Sequence, residues 1–140
     1  GEKLEDPTPL YEEAGFQFEY HFRPTGEALR KIYSSCGTFL CSSWYEGLGM
    51  PAMEAMMCGT ALVTTDTGGS RDYALNEVTA LVSPIKNPEA LAENLIRVLT
   101  DESLRLQLAE KGYKKIQQFS WDSNCEQLVK YFKKSIDDRK

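Results

Sequence analysis

Short apolar runs alternating with helical segments constrain this chain more than any other feature. Thr38–Cys41, Ala61–Thr65 and Thr79–Val82 are brief and apolar, as buried strands are. Phe16–Phe22 (FQFEYHF) alternates aromatic and polar residues with period two, which also predicts a strand. Between these runs lie helical stretches. Pro24–Thr25–Gly26 breaks the first strand, and Glu27–Ser35 follows with Leu29, Ile32 and Tyr33 at helical spacing. Pro51–Cys58 reads as a helix with proline at its first position, where a missing N–H costs nothing, and Gly59 stops it. Gly68–Gly69 marks a turn and Ser70–Leu75 a short helix. Strands that alternate with helices imply right-handed βαβ units and an α/β fold with a parallel sheet covered on both faces.

The C-terminal third predicts helices alone. Asn87–Pro88 caps and opens Glu89–Leu99, whose Leu91, Leu95, Val98 and Leu99 share a face. Thr100 or Asp101 caps a second helix running to about Phe119. Trp121, Cys125, Leu128 and Phe132 mark a third amphipathic helix, and that core-face spacing reads Trp121 as an anchor in preference to a sugar-stacking platform.

Bulk properties exclude several functions. A length of 140 residues suits one domain or part of one, with ordinary fractions of hydrophobic (41%) and charged (26%) residues. The net charge of −5 and scattered basic residues argue against a nucleic-acid partner. Cys36, Cys41, Cys58 and Cys125 show no C-x-x-C spacing, and with His21 as the single histidine no zinc site is expected. Cys41 and Cys58 sit in apolar runs, as small buried hydrophobes do, which favours a reducing, cytoplasmic compartment over the disulfides that an even count also allows. No apolar run approaches the ~20 residues of a membrane helix. His21 is read as a structural residue at a strand end.

The chemistry-bearing stretch is SSWYEGLGMPAMEAMMCGT, residues 42–60, which directly follows the Thr38–Cys41 strand. In parallel sheets ligands bind beyond the carboxyl ends of the strands, so this stretch occupies the expected place. Gly47, Gly49 and Pro51 lead into a helix start, where the amides of Leu48, Gly49 and Met50 would meet phosphate or sugar oxygens. Glu46 precedes the helix and Glu54 lies about one turn inside it, so both can face one mouth. A carboxylate accepting two hydrogen bonds suits vicinal hydroxyls. From spacing alone, Glu46 reads equally well as an ordinary helix-start acid and Glu54 as a surface residue. Glu54 nonetheless stands in a segment apolar on most sides. Gly68 and Gly69 form a second strand-end loop that either adds phosphate-side amides or is a plain turn. Arg71 and Asp72 are expected to pair with each other.

The run YEGLGMPAMEAMMCGTALVTTDTGGSRDYA resembles the signature of the group 1 retaining glycosyltransferases, and the likeness continues through VTALVSPIKNPEALAENLIRVL to FSW near Trp121. It spans about Phe16 to Phe132, and within the family it most resembles bacterial enzymes of rhamnose-containing surface polysaccharides. The resemblance implies a GT-B enzyme of two Rossmann-like domains, with this chain as the C-terminal, donor-binding one. Residues 1–15 would be a leader or linker. Residues 16–140 would be a partial, doubly wound parallel sheet of about four of the six strands of such a domain. Glu46 would face the donor sugar, Glu54 would hold the ribose, and Gly47, Leu48, Gly49, Met50 and Pro51 would contact sugar and diphosphate. No cofactor or metal is implied. The glutamates would position and stabilise charge, while the leaving diphosphate assists the acceptor's attack with retention of configuration.

Departures also follow from the resemblance. Leu48 replaces the common aromatic, and Thr60–Ala61 replaces the usual small residue and proline. The family's diphosphate-binding Arg and Lys, and the N-terminal domain that holds a glycan or lipid-linked acceptor, match no segment here. The 140 residues alone are therefore expected to be inactive as a transferase. Any contact with the inner face of a membrane would come through the absent part. The competing reading is a non-catalytic nucleotide- or polyphosphate-binding or docking module. A two-carboxylate hydrolase fits a charged donor loop less well. A receiver domain would need more acids at the strand ends than Asp66.

Overall fold

The computed structural model describes residues 13, 15 and 17–139; most of the expected leader lies outside them, as does Phe16. The described elements run α1 (Gly26–Ser35), β1 (Thr38–Cys41), α2 (Met50–Met57), β2 (Ala61–Thr65), a single 3-10 turn (Gly69–Asp72), β3 (Ala80–Ser83), α3 (Pro88–Thr100), α4 (Glu102–Ile116) and α5 (Trp121–Asp137). The three strands form one parallel sheet in the order β1-β2-β3. Register places Phe39 beside Leu62, Val63 beside Leu81, and Leu62 beside Ala80.

Alternation along the strands sends side chains to two cores. Leu62 and Ala80 pack with Ala52 and Met56 of α2, and with Tyr73, Ala74 and Ile116. Ala61, Val63 and Leu81 pack on the other face with Leu91 and Val98 of α3 and Leu108 of α4. Every β2 residue is buried, as a central strand covered on both faces must be. The last helices begin at side-chain caps. Asn87 accepts from the Ala90 N–H at 3.0 Å, Asp101 from Leu104 at 2.9 Å and Ser120 from Ser123 at 3.1 Å.

Three expectations change. The sheet has three strands among the described residues, because residues 17–22 form no strand and leave Tyr20 and Phe22 exposed. A strand requires a hydrogen-bonded neighbour, and no described strand lies beside this segment, so period-two alternation alone does not create one. His21 accordingly lies outside the sheet, exposed, 3.4 Å from Glu19. Trp121 does not anchor α5. It is 85% exposed, and α5 buries none of its residues, because the helix carries its apolar face away from the described core. Finally, Cys41 and Cys58 are half-buried, not buried.

Candidate functional site

The loop from Ser42 to Gly49 leaves the carboxyl end of β1 and enters α2. Gly49 caps that helix in the left-handed region, at φ 77°, so Met50 rather than Pro51 is the first helical residue. Glycine is required there twice over. The φ disfavours a side chain, and a Cβ would stand 2.6 Å from the Tyr73 hydroxyl oxygen.

Tyr73 lies directly beneath this loop, fully buried. Its Oη donates toward the Leu48 carbonyl at 2.9 Å, with the Gly49 carbonyl at 3.2 Å sharing the same proton. Burial, reinforced by negative charge at Cys41 and Glu46, pushes the phenol up to about 12, so it remains a donor. The consequence is directional. Across a trans peptide the N–H points opposite the C=O, so drawing the Leu48 carbonyl inward turns the Gly49 N–H outward. Among the described residues, the N–H groups of Gly47, Leu48, Gly49 and Met50 donate no hydrogen bond within the protein. Several free donors at one helix start form a concave electropositive surface.

The second strand-end loop presses against the first. Gly68 forms an isolated parallel bridge with Glu46. At Gly69 any Cβ would overlap the Gly47 carbonyl oxygen and stand 2.5 Å from that of Glu46. Gly69 is thus a glycine of close approach. Asp66 holds this loop from outside, accepting from the Gly68 N–H at 3.3 Å and from two Arg71 nitrogens at 2.8 Å each. The hydrogen-bonded guanidinium holds the Asp66 carboxyl below its ordinary range. Arg71 therefore pairs with Asp66 and not with Asp72. With three residues per turn in a 3-10 helix, adjacent side chains diverge by a third of a turn.

Glu46 is half-buried, and Ser43 Oγ donates to its Oε1 at 2.8 Å. The Ser43 carbonyl in turn accepts from the buried Thr65 hydroxyl at the end of β2. This chain of contacts fixes the Glu46 carboxylate against the sheet end. Glu54 stands differently. It is exposed, despite its apolar neighbours, and lines a cleft of about 270 Å³ with Leu48, Met50, Met53, Phe119, Ser120, Trp121 and Asn124. Its charge also approaches Tyr33 of α1, whose phenol is raised by burial first and by Glu54 second. The loop thus has a carboxylate before it, amides free of protein partners along it, and a second carboxylate in an aromatic-walled cleft at its far side. Pro51 is exposed on the first turn of α2. No three His, Cys, Asp or Glu gather among the described residues.

Sequence reasoning missed Tyr73 and Asn124, and ranked Trp121 as a core anchor above the ligand-facing role that its place in the cleft wall fits better. One available signal was a tyrosine among the small and apolar residues Ala74–Leu75, since a buried phenol needs a partner. Nothing local points to Leu48, 25 positions away. The α5 contribution depends on where that helix begins in space, which its own periodicity does not encode.

A three-stranded parallel sheet with two carboxylates around a strand-end loop defines an α/β domain of the kind that takes ligands beyond the carboxyl ends of its strands. Comparison then specifies the family. Residues 10–115 match the family described as "Glycosyl transferases group 1", and the chain belongs to it. It is 31% identical over 141 residues to a D-inositol 3-phosphate glycosyltransferase of Salinispora tropica, covering 97% of this chain and 29% of that protein. It is also 31% identical over 110 residues to O-antigen chain mannosyltransferase B of Escherichia coli, covering 76% of this chain and 28% of that one. Among solved structures, the C-terminal domain of a glycosyl transferase group 1 family protein (LpcC) from Francisella tularensis superposes with a TM-score of 0.68. That match covers 79% of this chain and 58% of the other at 23% identity, and so concerns the fold. The chain spans less than a third of the length of the curated relatives it matches. No described helix is long and apolar enough to cross a membrane.

Proposed function

We propose that this chain is the donor-binding part of a retaining glycosyltransferase that uses a nucleotide-diphosphate sugar. One observation carries the proposal: four backbone N–H groups, Gly47 to Met50, which donate no hydrogen bond among the described residues, run between Glu46 and Glu54 on a loop held from below by Tyr73. A diphosphate is doubly served there, by free amides and by the positive end of α2. Glu54, in its cleft beside Trp121 and Asn124, accepts from the ribose hydroxyls while the aromatic wall covers the nucleoside. Glu46, held by Ser43, accepts from the hydroxyls of the transferred sugar and stabilises positive charge developing at its anomeric carbon. The loop around Gly68 and Gly69 closes the phosphate side. No cofactor or metal enters the reading, since the amides supply the electrostatic stabilisation of the leaving diphosphate.

The acceptor, a glycan or lipid-linked sugar, would be held by a preceding domain, with bacterial surface polysaccharide at the cytoplasmic face of the membrane as the setting. The 140 residues alone would bind donor without turning it over. The test is calorimetry with nucleoside diphosphates and the corresponding nucleotide sugars. Glu54→Gln is expected to weaken both about tenfold, which is the loss of roughly 1.4 kcal/mol of charge-assisted bonding. Glu46→Gln is expected to weaken the nucleotide sugar and leave the diphosphate unchanged. If neither substitution alters affinity for a donor that binds, these site assignments are wrong.

A further inference from the structure

All four methionines of the sequence, Met50, Met53, Met56 and Met57, fall on the eight residues of α2. Helical spacing gives them different surroundings. Met56 is fully buried under α4, where a Cβ on Gly112 would stand 2.9 Å from its methyl carbon. Met53 is half-buried and packs against the core around Leu62 and Tyr73. Met57 is 43% exposed at the far end of the helix, in a separate cleft with Leu106 and Tyr113. Met50 is 59% exposed, the most open of the four. A single exposed apolar side chain is ordinary on a protein surface. Two features of its position set Met50 apart. It is the first residue of α2, and its N–H, like those of Leu48 and Gly49, donates no hydrogen bond among the described residues. Glu54 lies four positions further on, so the two side chains share one flank of the helix and line one cleft with Trp121 and Asn124.

We propose that Met50 is a modification site, oxidised by peroxide to the sulfoxide, and that its oxidation lowers the affinity of this loop for an anionic ligand. In that step the Met50 sulfur lone pair forms an S–O bond to one peroxide oxygen as the O–O bond breaks. The sulfur is oxidised by two electrons, and the other oxygen takes up the proton of the first and leaves as water. An apolar, adaptable side chain thereby becomes a polar one with an acceptor oxygen. The new oxygen stands at the helix start, where the free amides lie, and one turn from the Glu54 carboxylate. It competes with a phosphate for those amides and adds a second negative group beside Glu54. Methionine sulfoxide is reduced back enzymatically, so the modification acts as a switch. The effect on ligand affinity rests on the donor reading above; the oxidation itself does not.

The test treats the protein with dilute hydrogen peroxide and then with dithiothreitol, which returns oxidised cysteines to thiols and leaves methionine sulfoxide in place. Peptide mass spectrometry follows the sulfoxide at each methionine. Met50 is expected to oxidise at least about tenfold faster than Met56, and faster than Met53 and Met57. Calorimetry with uridine, guanosine and adenosine diphosphates, at a dose that leaves Met56 reduced and Tm unchanged, should show about a fivefold loss of affinity. The loss should vanish in Met50→Leu, measured against that variant's own untreated affinity, persist in Met57→Leu, and reverse with methionine sulfoxide reductases A and B. Oxidation of Met50 no faster than that of Met56 overturns the proposal. So does an unchanged affinity with Met50 oxidised, or a loss that persists in Met50→Leu. Diphosphate binding by a protein whose Met50 resists peroxide sinks the modification site alone. Selective Met50 oxidation in a protein that binds none of the diphosphates sinks the donor reading and the effect drawn from it, and establishes the modification site.

Discussion

Removing one oxygen atom, in Tyr73→Phe, tests whether the loop beneath the candidate site is held as the structure indicates. The ring remains, with its edge-on contact to Phe119 at 6.4 Å, so no cavity forms. What disappears is the donor to Leu48 O and the weaker approach to Gly49 O. Gly49 O still accepts from the Ala52 and Met53 N–H groups, whereas Leu48 O has no other donor among the described residues. A net hydrogen bond plus one partly buried acceptor left open amounts to about 1–2 kcal/mol. For a chain of this size that lowers Tm by roughly 4–8 °C.

A pH series sharpens the same experiment. The Tyr73 phenol is raised from 10 to about 12 in the folded protein, chiefly by burial. Between those values the unfolded chain loses the proton and the folded chain keeps it. Stability from this group is therefore complete below pH ~10 and is lost as pH rises toward ~12, by about 2–3 kcal/mol in all. The other tyrosines are common to both proteins and cancel in the difference. Urea denaturation at intervals from pH 8 to 11 should show the wild-type advantage over Tyr73→Phe shrinking above pH ~10. A constant gap across that range would refute the buried, hydrogen-bonded phenol. A fall in Tm with unchanged nucleotide-diphosphate affinity would refute its role in aiming the Gly49 N–H, since that role requires affinity to fall severalfold.

Three further outcomes follow from local geometry. Gly69→Ala should separate the two strand-end loops, costing at least about 2 kcal/mol in urea denaturation, because the new Cβ meets backbone that cannot rotate away. Asp66→Asn should cost less than about 1 kcal/mol at neutral pH, the pair with Arg71 being substantially exposed. The Asp66 carboxyl is depressed below 3.8, so this contribution is present above that value and disappears as pH falls through the lower folded value, which an acid-unfolding comparison of the two proteins would show. Asn87→Ala should remove the α3 cap at a cost of about 1 kcal/mol, read as a Tm shift of a few degrees.

The elements that sequence makes legible here are those whose determinants are local. β2 was readable because a run of five apolar or β-branched residues between Gly59 and Gly68 has no alternative but a central strand, and all five are buried. The starts of α3 and α4 were readable because Asn87 and Asp101 act on amides three residues away. The amide loop was readable for the same reason, since Gly47, Gly49 and Pro51 lie together between a strand and a helix. Everything that failed depends on a distant partner. Residues 17–22 alternate correctly but have no strand beside them, and Trp121 has core spacing but no core within reach. Arg71 has an acid next to it and bonds another five residues back, because the 3-10 turn decides which carboxylate it faces. Tyr73 belongs to the same group: its burial follows from Ala74 and Phe119 packing, and its effect falls on a peptide 25 residues earlier. Sequence thus locates the candidate loop, because its glycines and acids are local to one segment. The groups that hold that loop in place, Tyr73 after the 3-10 turn and Thr65 at the end of β2, come from segments the fold sets beneath it, and only the assembled structure identifies them.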